Sequence, residues 1–465
     1  MDIKIKNFGK IKEADIDLSG LALIAGPNDS GKSTVGKCLF ALIKSVANYP
    51  QYYNQIKTQQ LYQEYFNPLR IDAERRSSNF IRELLGYRIT TKDDTILKTN
   101  IISLFSDELK EASIDKKIEY LKYILETSKR EEGFTAKIKE VIEKAINFLS
   151  KNSSQNEQMS FICNRIFRDV FSGNLINSAH QNDTSSIKYS NNKNLLSIDI
   201  TKNNITVKDF KPEIPSLIDA TFIDNPLLLE KETDRYNRIW FHIFNDMNEA
   251  EINISNDIIA KKNRAIKGIN RESYYEELFK DFNEIFQKAE FQYDIQEERL
   301  KYKVNSEASS LEISNIASGS KAFGLLYVLL KSGVILKDSL LILDEPENHL
   351  HPEWQLKYAQ IICKMVKNGF HILMTSHSPY MIQAIKTYSE KEEILDNKVN
   401  FYFATQDTDY NYNKIINIRD KAGNLNDDII FDSLYAPIEK LDEINEALAK
   451  EIERKFLEEE PDAKL

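Results

Sequence analysis

The chain has 465 residues, 42% of them hydrophobic and 29% charged, a globular composition with enough material for about three domains at ~150 residues each. Its 14 Gly and 11 Pro are too few for a collagenous or low-complexity protein, and no apolar run approaches the roughly 18 residues that signal a membrane span. With 62 basic against 72 acidic residues and a net charge of −10, a wholly basic nucleic-acid binder is excluded.

The opening MDIKIKNFGKIKEADIDL alternates apolar and polar residues and carries acids, so it is expected to form strands rather than a signal or transit peptide. Asp2–Lys6, Ala14–Leu18 and Leu21–Ala25 read as strands, the last ending at Gly26. A helix follows, because Val35, Cys38, Leu39, Leu42, Ile43 and Val46 form one apolar stripe. Two amphipathic segments, Ile114–Ser128 and Thr135–Leu149, have the spacing of a helical hairpin and are too short for a long coiled-coil arm. Ser172–Asn194 is rich in Ser and Asn and reads as loop with one candidate strand. Leu195–Ile200 and Ile205–Val207 read as a hairpin around Asn203 and Asn204, Ala220–Ile223 as a return strand, and Tyr274–Ala289 as helix. Five cations, Lys261, Lys262, Arg264, Lys267 and Arg271, read as a solvated helix face or loop.

The last third alternates strands and helices. Phe291–Ile295, Leu300–Val304, Leu340–Leu343, Ile372–Met374, Asn400–Ala404 and Lys414–Ile418 read as strands. Ala322–Lys331 and Pro352–Lys367 read as helices, and Leu441, Ile444, Leu448, Ile452 and Phe456 mark a final amphipathic helix, read as a packing element. Cys38, Cys163 and Cys363 are far apart, which fits a reducing, cytoplasmic setting and neither a zinc site nor a disulfide framework.

Four segments carry chemistry. GPNDSGKST, residues Gly26, Pro27, Asn28, Asp29, Ser30, Gly31, Lys32, Ser33 and Thr34, fits G-x-x-x-x-G-K-[ST] between a strand and a helix. Its glycines let backbone N–H groups converge on phosphate, Lys32 is placed to reach the β and γ phosphates, and Ser33 to hold Mg²⁺. LLILDEPENHLHP ends an apolar strand in Asp344, suited to the Mg²⁺ shell, and Glu345, suited to orienting or deprotonating water. The small residues Ser314 to Lys321 precede a helix, and LMTSHSPY sets His377 after a buried strand. His349 and His351 lack a Cys or His partner set and are not expected to bind metal. Asp407 and Asp409 read as loop residues.

In this order the segments resemble the ATP-binding-cassette ATPase head. The likeness covers roughly residues 1–48 and 300–385 and implies an α/β fold: an ABC-type P-loop head with a mixed sheet, flanking helices and a mainly helical insertion. It implies Gly26–Thr34 as Walker A, Ser318, Gly319 and Ser320 as the signature, Asp344 as the Walker B aspartate, Glu345 as catalytic glutamate, Glu347–Leu350 as D-loop and His377 as switch histidine. Two such heads sandwich two ATP molecules, so the signature of one would complete the other's site, with Lys321 facing a γ-phosphate in trans. The signature here reads ASGSK rather than LSGGQ, and the turn near Asp224 and Asn225 is the best equivalent of the Q-loop. These departures, the opening KNFGKIKEADIDL and the pairing of ENHLHP with TSHSP resemble the SMC-like, RecF-like and OLD-type branch.

In size and layout the chain is similar to ATPase subunits of two-gene bacterial phage-defence systems such as Septu and PARIS. The division this implies is a head of 1–48 and 300–438, an insertion of 49–215 with a small hairpin, a return strand and helical segment in 216–299, and a C-terminal helix in 439–465. Expected cofactors are ATP and Mg²⁺. Expected partners are further copies of the chain and a separately encoded effector, a nuclease, with no membrane. A RecF-like or SMC-like DNA-binding ATPase is the alternative, supported by the basic segment.

Overall fold

In a computed structural model, residues 1–47, 49–66, 68, 113–127, 136–151, 153–175, 184–191, 194–211, 217–229, 254–269, 275–286, 289–294, 296–297, 299–304, 310–406, 412–420, 425–426 and 428–459 are described. Five parallel strands form one side of the main sheet: β13 (Val399–Gln406), β3 (Leu21–Ala25), β12 (His371–Ser376), β11 (Ser339–Asp344) and, at the edge, β7 (Asp219–Ile223), in that order. β3, β11 and the middle of β12 carry unbroken apolar runs because both faces of the sheet are covered. On β3, Leu21, Leu23 and Ala25 face one core while Ala22 and Ile24 face the other. On β11, Leu341 and Leu343 join the first core and Leu340 and Ile342 the second.

Helices α1 (Lys32–Ala47), α2 (Tyr49–Leu61) and α5 (Gln155–Val170) cover one face. Helices α6 (Ile254–Gly268), α7 (Glu276–Ile285), α8 (Ser318–Lys331), α9 (Pro352–Lys367) and α10 (Pro379–Lys391) cover the other. A Cβ on Gly36 would stand 2.9 Å from Ile342 and 3.0 Å from Phe222, so a glycine lets α1 lie directly on the sheet.

The antiparallel hairpin β1 (Asp2–Phe8) and β2 (Ile11–Asp17) joins the core through β14 (Asn413–Asn417). On its outer side, β4 (Ser185–Asn191), β5 (Asn194–Thr201) and β6 (Asn204–Lys211) complete an 11-stranded sheet. The expected two-stranded hairpin is thus a three-stranded meander that extends the main sheet. Its first strand, SSIKYSN, turns Ser185, Ile187 and Tyr189 inward, and with two apolar residues among these the alternation is weak. Strands β8 (Glu290–Asp294), β9 (Arg299–Lys303) and β10 (Ser310–Glu312) form a separate small sheet.

The helical pair is present as α3 (Ile114–Thr127) and α4 (Ala136–Ser150), which bury Leu121, Ile124, Ile142, Ala145 and Leu149 with Leu61 and Phe66 in a small core of their own. Helix α5 starts at a capping box in which Ser154 and Glu157 each satisfy the other's backbone N–H.

Two expectations are corrected. Lys261 and Lys262 are 1% and 2% exposed on α6, so of the four described residues of the basic segment Arg264 and Lys267 face solvent. Lys261 pairs with Asp219 (2.7 Å) and Asp257 (3.1 Å), and Lys44 at the end of α1 pairs with the same two carboxylates at 2.5 and 2.6 Å. Sequence spacing conceals this, because Asp219 belongs to a strand distant in the chain. Arg271, Asp407 and Asp409 lie outside the described residues.

The last helix, α11 (Asp428–Glu459), begins earlier than expected and, among its described side chains, packs by its first turns, where Ile430 is fully buried; the Phe456 side chain lies outside the described residues. Beyond them Leu441, Ile444, Leu448 and Ile452 are 53–60% exposed, so the apolar stripe does not pack on the head. Among the described residues no helix is long and apolar enough to cross a membrane. The three cysteines are free and buried; burial pushes the Cys163 and Cys363 thiols up to about 12.

Candidate active site

The candidate residues converge at the carboxyl ends of the parallel strands, where open α/β sheets place their ligands. The loop after β3 needs unusual backbone angles. Gly26 has φ 149° with Ala404 of β13 beside it, Asp29 has φ 63°, and Gly31 has φ 91° against Ile11. Pro27, Asn28 and Asp29 are exposed, Asp29 paired with Lys10 of the β1–β2 turn, while Gly26, Ser30 and Lys32 are buried. Lys32 opens α1. Its Nζ donates to the carbonyls of Gly26 (2.9 Å) and Pro27 (2.7 Å) and lies 3.7 Å from Glu345 Oε1. Burial lowers its pKa, against the pull of Glu345, Asp344 and Glu347.

Strand β11 delivers the acids. Thr375 Oγ1 donates to Asp344 Oδ1 at 2.6 Å, and the Ser33 side chain also acts to stabilise the Asp344 carboxylate. Burial raises the Asp344 carboxyl, and those two side chains oppose it. The chain turns at once: Glu345 has φ 49°, with its N–H bound to Thr375. This turn aims its carboxylate between Lys32 and His377, whose Nδ1 lies 3.5 Å from Glu345 Oε1. Segments distant in sequence, Gly26–Thr34, Asp344–Glu345 and His377, are thereby brought into one cluster.

The signature segment stands apart from that cluster. Ser318 Oγ reaches the His349 carbonyl at 3.5 Å, and Gly319 packs against Trp354 and Leu350. Helix α8 begins there with no side-chain cap on its N-terminal N–H groups. Ser320 is partly buried. Lys321 is 5% exposed and its Nζ donates to the Ser314 carbonyl at 3.1 Å, so its ammonium is held inside its own chain. Asp224 and Asn225 follow β7, whose Ile223 is level with Leu343 of β11; Asn225 Oδ1 caps the next turn at Leu227 N–H.

Sequence reasoning missed Glu347 as a site residue. It is 4% exposed, and its Oε1 accepts from Ser376 Oγ (2.7 Å), His377 N–H (2.8 Å) and Ser378 N–H (3.2 Å). Thr375 was missed as well.

The residues fit a magnesium nucleotide. The start of α1 and a buried ammonium hydrogen-bonded to neutral carbonyls, with Glu345 at 3.7 Å, suit phosphate. Ser30 Oγ is buried without a hydrogen-bond partner and faces the same need. The Ser33 hydroxyl and Asp344 carboxylate are oxygen donors of the kind Mg²⁺ takes.

A 47-residue stretch is 43% identical to the Septu protein PtuA of Bacillus thuringiensis, spanning 10% of this chain and 12% of that protein. Solved structures similar to this chain include an SMC head bound to the C-winged helix domain of ScpA (10% identity, 90% of this chain and 96% of that one, TM-score 0.39). The SMC head domain from Thermotoga maritima is another (10% identity, 90% and 98%, TM-score 0.37). The profile of the AAA ATPase domain matches residues 1–382 of the 465, and the chain therefore belongs to the AAA ATPase domain family.

Proposed function

We propose that the chain hydrolyses ATP with Mg²⁺, self-associates head to head through nucleotide, and acts as a sensor and scaffold that controls a separately encoded effector, a nuclease, in bacterial phage defence. The observation that carries the reading is the convergence of Lys32, Asp344, Glu345 and His377 behind one glycine loop. The stretch similar to PtuA supports the defence role. Bound Mg²⁺ would neutralise charge on the phosphate oxygens, held by Ser33 and Asp344.

The chain's own residues supply the rest. Lys32 exchanges its two carbonyl partners for phosphate oxygens. Glu345 orients the attacking water and accepts its proton, work typically worth 10²- to 10⁴-fold in rate. His377, beside Glu345, contacts the terminal phosphate. The uncapped start of α8 and Ser318 meet the nucleotide of the partner head; Lys321 leaves its Ser314 carbonyl if it takes part. The DNA-binding alternative loses two of its five cations to the core.

The test is the mass of the Glu345→Gln protein with ATP and Mg²⁺, co-expressed with the product of the neighbouring gene. An ATP-dependent dimer or larger assembly that retains the neighbour's product is expected. A monomer at every ATP concentration contradicts the nucleotide clamp, and a bare dimer that shifts DNA in a salt-sensitive way favours the alternative.

A further inference from the structure

We propose that Glu347 is a positioning residue: its buried carboxylate locks the His377 loop to the loop after β11 and fixes His377 beside Glu345. The kinetic part of this proposal rests on the ATPase reading above; the structural part does not.

A carboxylate buried on a loop is costly unless it is well partnered. Glu347 meets that demand on one oxygen only: Oε1 takes three donors from consecutive residues, Ser376, His377 and Ser378, while Oε2 is buried with no hydrogen-bond partner. Oε1 also lies 3.4 Å from His377 Nδ1. The imidazole therefore has two carboxylate oxygens, of Glu345 and Glu347, near one nitrogen, and Nε2 is the atom left to face a nucleotide. Helix capping does not account for the acid, because α10 is capped by Ser378 itself, whose Oγ accepts from Met381 N–H.

A second buried side chain repeats the tie. Gln355 of α9 donates to the Leu350 carbonyl at 3.1 Å and accepts from Ser378 Oγ at 2.5 Å. The segment between these anchors carries the His349 carbonyl that Ser318 approaches. A chain of contacts thus runs from the signature segment to the His377 loop without passing through the glycine loop.

The experiment compares Glu347→Ala, Glu347→Gln, His377→Ala and the Glu347→Ala/His377→Ala double variant. In nucleotide-free protein, amide hydrogen exchange at His377 and Ser378 is expected to quicken by roughly 10-fold or more in Glu347→Ala and to stay near wild type in Glu347→Gln, which keeps an acceptor oxygen. In turnover, Glu347→Ala is expected to lower kcat by roughly 10- to 100-fold, with KM for ATP changed by less than about 3-fold. The double variant is expected to be no slower than His377→Ala alone. Protected amides in Glu347→Ala, or losses that multiply in the double variant, overturn the proposal. If Glu347→Ala does not fold, unprotected amides in folded Glu347→Gln overturn it. A wild-type chain that turns over no ATP refutes the proposed function, while amide exchange still decides the clamp.

Discussion

The two ends of α1 hold buried lysines in opposite circumstances. At the C-terminal end Lys44 lies 2.5 and 2.6 Å from Asp219 and Asp257, and the helix dipole favours a cation there. Burial opposes its charge, but the two carboxylates more than reverse that, and its pKa is raised. At the N-terminal end Lys32 sits where the dipole disfavours a cation, its close partners are neutral carbonyls, and burial lowers its pKa. A buried cation clasped by two carboxylates holds a fold together; one bonded to carbonyls at a helix start, with its nearest carboxylate 3.7 Å away, is set for an anion that arrives later.

That contrast makes separable predictions. Lys32→Ala should weaken ATP binding by roughly 100-fold or more, the worth of lost charge-assisted hydrogen bonds, with little change in unfolding free energy. Titration calorimetry beside urea unfolding checks both halves. Lys44→Met should do the reverse. It should cost about 2 kcal/mol of stability, less than a fully buried pair because Asp219 stays partly hydrated, and leave the ATP affinity of folded protein unchanged.

Acid should sharpen the difference. Burial pushes the Asp219 carboxyl up, and Lys261 and Lys44 more than reverse it, holding it below its ordinary value. A depressed folded pKa gives stability that is full above the unfolded value near ~3.9 and is lost as pH falls through the folded one. Unfolding free energy should therefore drop on acidification below about pH 4, and less steeply in Lys44→Met; equal slopes would remove Lys44 from the network. The smallest effect is expected from Ser30→Ala. Deleting a buried, unpartnered hydroxyl should leave stability equal or higher by about 1 kcal/mol, while ATP affinity falls a few-fold.

Where physics is local, the sequence was readable. The apolar runs of β3 and β11 mark doubly covered strands, and the glycine loop between strand and helix announces a phosphate site. The start of α5 was also written there, as Ser154 and Glu157 in a capping box, though the sequence reading did not use it. Other features depend on distant partners. Lys261 looks like a surface cation until β7 brings Asp219 to it. Strand β4 has too few apolar residues to declare itself before β1 offers a free edge. Glu347 reads as the first residue of a D-loop with no role of its own, and only the fold supplies its three donors. The stripe of α11 shows the converse: a correct helical period does not say whether the apolar face is covered.

The central claim is that the cluster around Lys32 and Glu345 hydrolyses ATP. Its most direct test is phosphate release from ATP and Mg²⁺ by the purified wild-type chain beside Glu345→Gln. The account predicts turnover by the wild type and a loss of roughly 10²- to 10⁴-fold in Glu345→Gln with ATP still bound. Equal rates in the two proteins would contradict it and remove Glu345 from the chemistry.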